Sequence, residues 1–161
     1  MKALLRLLRG HAEPVLSIAG PRDAAALANL HAVSFQRGWS EQEFEQLLTD
    51  RSVTVEKATR GRGTLGFIVS RRAADEAEIL SVAVARAWRR HGLARKLLEL
   101  HLRRLAGQGL RAVFLEVDEN NVPARRLYAR AGFREVGRRP GYYGQAAGAP
   151  ATALVLRRDL A

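Results

Sequence analysis

Apolar positions along the chain fall into two periods, and the changes of period mark the elements. Residues 15–20, VLSIAG, make a short apolar run closed by Gly20-Pro21, which predicts a strand and then a turn. Over 22–35 the period becomes helical: positions 24, 27, 28, 31 and 35 share one face, with Asp23 as the predicted N-cap. The tripeptide Arg37-Gly38-Trp39 breaks the pattern. A second helix is predicted from Ser40, because Ser40 and Glu43 stand at capping-box spacing and Phe44, Leu47 and Leu48 line one side. Trp39 lies between these two helices.

Period two then takes over. Residues 52–59 and 64–71 read as strands joined by the glycine-rich turn 60–63, and 78–84 as a third strand after the turn 72–77. Three strands with short links predict an antiparallel meander. The helical period returns over 92–106, with Leu93, Leu97, Leu98 and Leu105 on the buried side, Leu100 and Leu102 widening it, and Gly107 and Gly109 ending it. Residues 110–117 are apolar on both faces, so they read as a central strand. A short helix follows, with Asn121 as cap, Pro123 in its first turn and Gly132 at its end. Residues 133–137 read as a strand, 138–150 as a long turn and 152–160 as the last strand. The order β-α-α-β-β-β-α-β-α-β-β predicts an α+β fold, a mixed central sheet of about seven strands with four helices. Strands 78–84 and 110–117 flank one helix and are predicted to be parallel neighbours.

Composition bounds this picture without changing it. A chain of 161 residues suits one domain, assigned to 13–161, with 1–12 as a basic N-terminal extension. Apolar residues make up 47% and there is no cysteine, so a full core is expected without disulfides. His11, His31, His91 and His101 are scattered with no carboxylates at ligand spacing, so no metal is expected. The net charge of +11 admits nucleic acid, a membrane surface or an acidic partner. Only three of the 27 basic residues are lysine, and the charge forms no dense tract, so direct nucleic-acid binding is not expected. Arg6 and Arg9 interrupt the apolar start below signal-peptide length, and no run reaches the ~18 residues of a membrane span. A cytoplasmic protein is expected.

Candidate chemistry gathers in two stretches. WRRHGLARKLLELHL, 88–102, brings positive charge and small residues to the start of a helix. Helix N-termini carry unpaired N–H groups and a partial positive charge, so an anion is stabilised there. The pattern Arg89-x-x-Gly92-x-Ala94 fits a turn whose backbone approaches a phosphate, and fits equally a solvated basic turn. The run from Ala77 to Leu102, with VFLEVDENNVPARRLYARAGFREVG (113–137) after it, resembles the GNAT N-acetyltransferase superfamily. The second run, followed by RRPGYY, and the segment GWSEQEF (38–44) resemble its RimI-type branch, the ribosomal-protein N-terminal alanine acetyltransferases. Ala94 stands where glycine is more usual, and the acidic residue often found before the last strand is lacking.

The resemblance implies acetyl-CoA as co-substrate, held where strands 78–84 and 111–117 splay. Pantetheine amides would pair with the backbone of Val82, Ala83 and Val84, and the turn of Arg89, Arg90, His91, Gly92, Leu93, Ala94 and Arg95 would hold the pyrophosphate. Asn121 would touch the cofactor as well as cap its helix. Glu116 ends an otherwise apolar strand, where partial burial disfavours the charged carboxylate and poises it to accept a proton. The resemblance makes it the general base, and the alternative is an ion pair with one of the many arginines. Tyr128 would be the general acid, yet it shares an apolar face with Ala124, Leu127 and Ala131, so periodicity alone makes it core. Tyr142 and Tyr143 would line a peptide groove or pack their turn, and Trp39 would contact substrate or anchor the core. The implied acceptor is a protein N-terminus, probed against two alternatives: a small amine such as a polyamine or aminoglycoside, and a non-catalytic module binding RNA or the ribosome.

Overall fold

In the computed structural model, residues 12–143 and 151–160 are described, with the backbone alone for Tyr142 and Tyr143. The predicted extension 1–12 lies outside these residues but for Ala12. The strands are β1 (Val15–Ile18), β2 (Val53–Arg60), β3 (Gly63–Ala73), β4 (Glu76–Val84), β5 (Ala112–Asp118), β6 (Arg134–Tyr143) and β7 (Ala151–Asp159). The helices are α1 (Ala24–Ser34), α2 (Glu41–Thr49), α3 (Leu93–Gly107) and α4 (Val122–Arg130). One mixed sheet runs in the order β1-β2-β3-β4-β5-β7-β6. The crossover through α3 makes β4 and β5 parallel, and all other neighbours are antiparallel. No helix among the described residues is long and apolar enough to cross a membrane.

The sheet sends alternate side chains to two cores. Ile68, Val113, Leu115 and Val117 meet Leu93, Leu97, Leu98, Leu102 and Leu105 of α3 and Tyr128 of α4. Phe67 and Val69 go the other way, to Leu27 of α1 and Phe44 of α2. The capping box of α2 forms as predicted: Ser40 Oγ accepts from the Glu43 N–H at 3.1 Å, and the Ser40 N–H donates to Glu43 Oε2 at 2.7 Å.

Two local expectations are corrected. Asp23 does not cap α1 with its side chain. It turns back to accept from the Gly20 N–H at 2.8 Å and pairs with Lys57 at 2.7 Å, because a 3-10 turn at Pro21–Asp23 precedes the helix. The predicted turn 138–150 begins as strand: β6 continues to Tyr143, held by β7 through Gly137↔Val155, Arg138↔Leu154 and Arg139↔Ala153. The ladder is irregular between Arg139 and Tyr143, where Pro140 has no N–H to donate and Gly141 takes φ +68. An edge strand tolerates both.

Two histidines lie where the periodicity predicts apolar side chains. His31 is buried, accepts the Trp39 N–H on Nδ1 at 3.0 Å, and stacks on Trp39 at 4.4 Å and Phe35 at 4.3 Å. Burial pushes its imidazole below the ordinary value, consistent with the neutral ring that an accepting Nδ1 requires. His101 of α3 is fully buried between Glu56 of β2, at 3.2 Å, and Ser70 of β3, at 2.7 Å. Arg104, one turn on, donates to the same Glu56 oxygen at 2.8 Å.

Candidate active site

The sheet parts at its centre. β4 and β5 pair from Glu76↔Ala112 to Ile79↔Leu115 and no further, although β4 continues to Val84 and β5 to Asp118. Both strands keep their outer partners along that length: Val82, Ala83 and Val84 lie opposite Ile68, Phe67 and Gly66, and Glu116 to Asp118 lie opposite Val155 to Ala153. A bulge at Leu80, where the β3–β4 register shifts, turns β4 out of line with β5.

The ladder decides which amides face the opening. The Ala85 N–H donates to the Leu65 carbonyl at 2.7 Å, and Phe67 stands opposite Ala83. Bonded and open pairs alternate in an antiparallel ladder. Phe67 and Ala83 therefore bond each other, and the backbone groups of Val82 and Val84 point away from β3 into the split. Of the three residues expected to present open amides, two do. Arg89 Nε donates to the Val84 carbonyl at 3.1 Å, so this guanidinium stands at the mouth of the split.

The turn from β4 to α3 closes the upper end. Arg90 and Gly92 both take left-handed backbone, at φ +65 and +76. Such a conformation costs a non-glycine residue about 1–2 kcal/mol, and strain of this kind clusters at binding sites. Gly92 caps α3 with no side chain, and the first turn of α3 has no acidic residue. It carries Arg95 and Lys96 instead, with Arg86, Arg89 and Arg90 before it. Cations at a helix N-terminus oppose the macrodipole, whereas α2 begins with Glu41 and Glu43. An anion seated on the turn would reverse that penalty. His91 packs its ring against Trp88 at 5.8 Å and behaves as a turn residue. Leu93 is core, and Ala94 is partly buried against it.

Glu116 is the first residue of β5 beyond its last pair with β4. Val113, Leu115 and Val117 face α3 and α4, so Glu116 faces the opposite side of the sheet. Its side chain is 19% exposed and pairs with Arg139 Nη1 of β6 at 3.1 Å. The ion pair with an arginine that the sequence left open as an alternative is therefore present. Tyr128 is buried on the α4 side, edge-on to Phe133 at 5.7 Å. Glu116 and Tyr128 therefore flank β5 from its two faces. Asn121 caps α4, its Oδ1 accepting from the Ala124 N–H at 3.2 Å.

The remaining predicted residues do not converge as closely. Trp39 is anchored in the His31–Phe44 aromatic cluster. Tyr142 and Tyr143 fall at the end of β6, with Tyr143 opposite Ala151. Their side chains are outside the described residues. Arg139 was not singled out from sequence. The signal was the Arg138-Arg139 pair, hidden because residues 138–150 read as turn. Among the described residues no group of three His, Asp or Glu is placed to hold a metal ion.

Known proteins resemble this chain in sequence and fold. The sequence profile of the acetyltransferase (GNAT) family matches residues 24–133. The [ribosomal protein bS18]-alanine N-acetyltransferase of Salmonella typhimurium is 31% identical over 133 residues, covering 83% of this chain and 89% of that protein. The crystal structure of the ribosomal-protein-S18-alanine N-acetyltransferase from Escherichia coli superposes with a TM-score of 0.85 at 26% identity, covering 92% of this chain and 94% of the other. Arabidopsis thaliana NAA60, solved in complex with acetyl-CoA, shares the fold with a TM-score of 0.79 at 21% identity, over 91% and 98% of the two chains. The chain belongs to the acetyltransferase (GNAT) family, within its RimI-type branch.

Proposed function

We propose that the protein transfers acetyl from acetyl-CoA to the α-amino group of a protein N-terminus, that of a ribosomal protein beginning with alanine, in the cytoplasm. The observation that carries this reading is that the sheet opens directly at Glu116, with the Val82 backbone and the Val84 N–H open on one wall and a helix start that has no side-chain cap. The acceptor class rests on the bS18-alanine relatives. The chemistry also favours it. An α-amino group has a pKa of roughly 7.7–8.0 against about 10.4 for lysine, so an N-terminus needs only modest base help near neutrality.

Acetyl-CoA supplies its acetyl group as an activated thioester. The Val82 backbone and the Val84 N–H would pair with the pantetheine arm in strand fashion. The N–H groups from Arg90 to Arg95, with Arg89, would receive the pyrophosphate, and Asn121 would touch the cofactor. As the new N–C bond formed and the C–S bond broke, Glu116 would take the proton from nitrogen, directly or through water, and Tyr128 would give one to sulfur. The test is to incubate the protein with acetyl-CoA and short peptides of differing first residue, alongside polyamines and aminoglycosides, and to follow thiol release. Turnover confined to small amines, or none with any amine, would overturn the reading.

Two variants probe its parts. Gly92→Ala places a Cβ at φ +76 where nothing lies within 4 Å, so any loss comes from the backbone and not from a clash. It is expected to cost about 1 kcal/mol of stability and to weaken CoA binding about tenfold, read by urea unfolding and calorimetry. Unchanged CoA affinity would remove the turn from the site. Tyr128→Phe keeps the ring against Phe133 and removes only the hydroxyl. Turnover is expected to fall at least about tenfold, with stability within about 1 kcal/mol of the parent. Full activity would return Tyr128 to the core.

A further inference from the structure

We infer that Arg139 is a positioning residue for the reaction: it holds the Glu116 carboxylate aimed along the split. The inference rests on Glu116 being the base. It starts from a contact, Arg139 Nη1 to Glu116 Oε1 at 3.1 Å, that bridges strands not bonded to each other. β7 lies between β5 and β6, and its residue opposite Glu116 is Val155, which offers no charge. Arg139 therefore reaches over β7 to a carboxylate that β4 has ceased to cover.

The other charges around Glu116 have partners elsewhere. Arg138 pairs with Glu135 and Glu119. Arg157, two residues along β7 from Val155, pairs with Glu76 and Asp159 and lies over the Phe114 ring. Arg139 instead reaches the Glu116 carboxylate, and a proton acceptor works only from a fixed place beside the amine.

Without Arg139 the carboxylate is free to turn out of the split, and a misplaced base slows the step without loosening the cofactor. The experiment is kcat at saturating peptide and acetyl-CoA, which reports the loaded enzyme, beside acetyl-CoA affinity by calorimetry. In Arg139→Gln, kcat is expected about three- to tenfold below the parent, with acetyl-CoA affinity within about twofold. Arg139→Lys restores most of the rate. In a Glu116→Gln background, Arg139→Gln has no further effect on kcat, because it acts through the carboxylate. A purely structural arginine would lower kcat by the same factor in the Glu116→Gln background. That result, or parental kcat in Arg139→Gln, would overturn the inference while leaving Glu116 as base. Full turnover in Glu116→Gln alone would instead remove the base assignment and this inference with it.

Discussion

Glu116→Gln is expected to slow turnover about a hundredfold while leaving acetyl-CoA affinity within about twofold of the parent. The reasoning is local. Glu116 sits where β5 leaves β4, 19% exposed, and its carboxylate is turned to Arg139 of β6. Gln keeps the volume and a carbonyl oxygen toward Arg139, but cannot accept the amine proton. Positioned general bases contribute about 10²–10⁴-fold. The low end applies here, because an α-amine is already partly neutral near its pKa of about 7.7–8.0. With lysine as acceptor the deficit would be larger, since almost all of it is protonated. The measurement is steady-state kinetics with an alanine-first peptide, paired with calorimetry for acetyl-CoA. Equal collapse of both quantities would mean that Gln has disturbed the split. Turnover within about threefold of the parent would mean that the amine loses its proton to solvent.

How much of this site the sequence discloses depends on whether a residue's neighbours are local. The β4–α3 turn was readable because helix start, glycine and arginines lie within a few residues. Asn121 was readable for the same reason, since a cap acts over three positions. Glu116 could be placed at a strand end, but its partner could not. Arg139 lies 23 positions on, in a segment whose Pro140 and Gly141 read as turn until β7 pairs with it. The open amides were assigned to three residues where alternation against β3 leaves two, a parity set by register across a bulge. Tyr128 stays double in meaning: its helix face is core, and only family resemblance gives its hydroxyl a task.

The buried network beneath α3 was the least legible. VTVEKAT alternates as if Glu56 faced water. α3 covers that face, leaving Glu56 and His101 with no exposure and Ser70 with 1%. Ser70, His101 and Glu56 are hydrogen-bonded in the order of a hydrolase triad, yet no substrate can reach a set buried to that degree. Its role is to fix α3 on the sheet. Burial alone would push the Glu56 carboxyl up, but the hydrogen bonds and charges of His101 and Arg104 outweigh it and hold the group below its ordinary 4.5. Glu56 Oε1 carries both bonds, and Oε2 is buried without a partner.

Glu56→Ala should therefore be the most destabilising change considered, costing about 2–4 kcal/mol, because it leaves the buried His101 imidazole without its partner and opens a cavity under α3, while Arg104 is exposed enough to keep water. Against a total of about 5–15 kcal/mol, that lowers the urea midpoint sharply. Glu56→Gln is the finer probe. It keeps a carbonyl for His101 and Arg104 but sets an amide where Oε2 has no partner, and is expected to cost about 1–3 kcal/mol near neutrality. A carboxyl whose folded value is depressed contributes stability that is present above 4.5 and lost as pH falls through the folded value. Gln does not titrate. The stability gap between parent and Glu56→Gln should thus be full near neutrality and shrink as pH falls below 4.5. A gap constant across that range, in variants that unfold with unchanged urea dependence, would mean that the carboxylate's charge does not hold α3 in place.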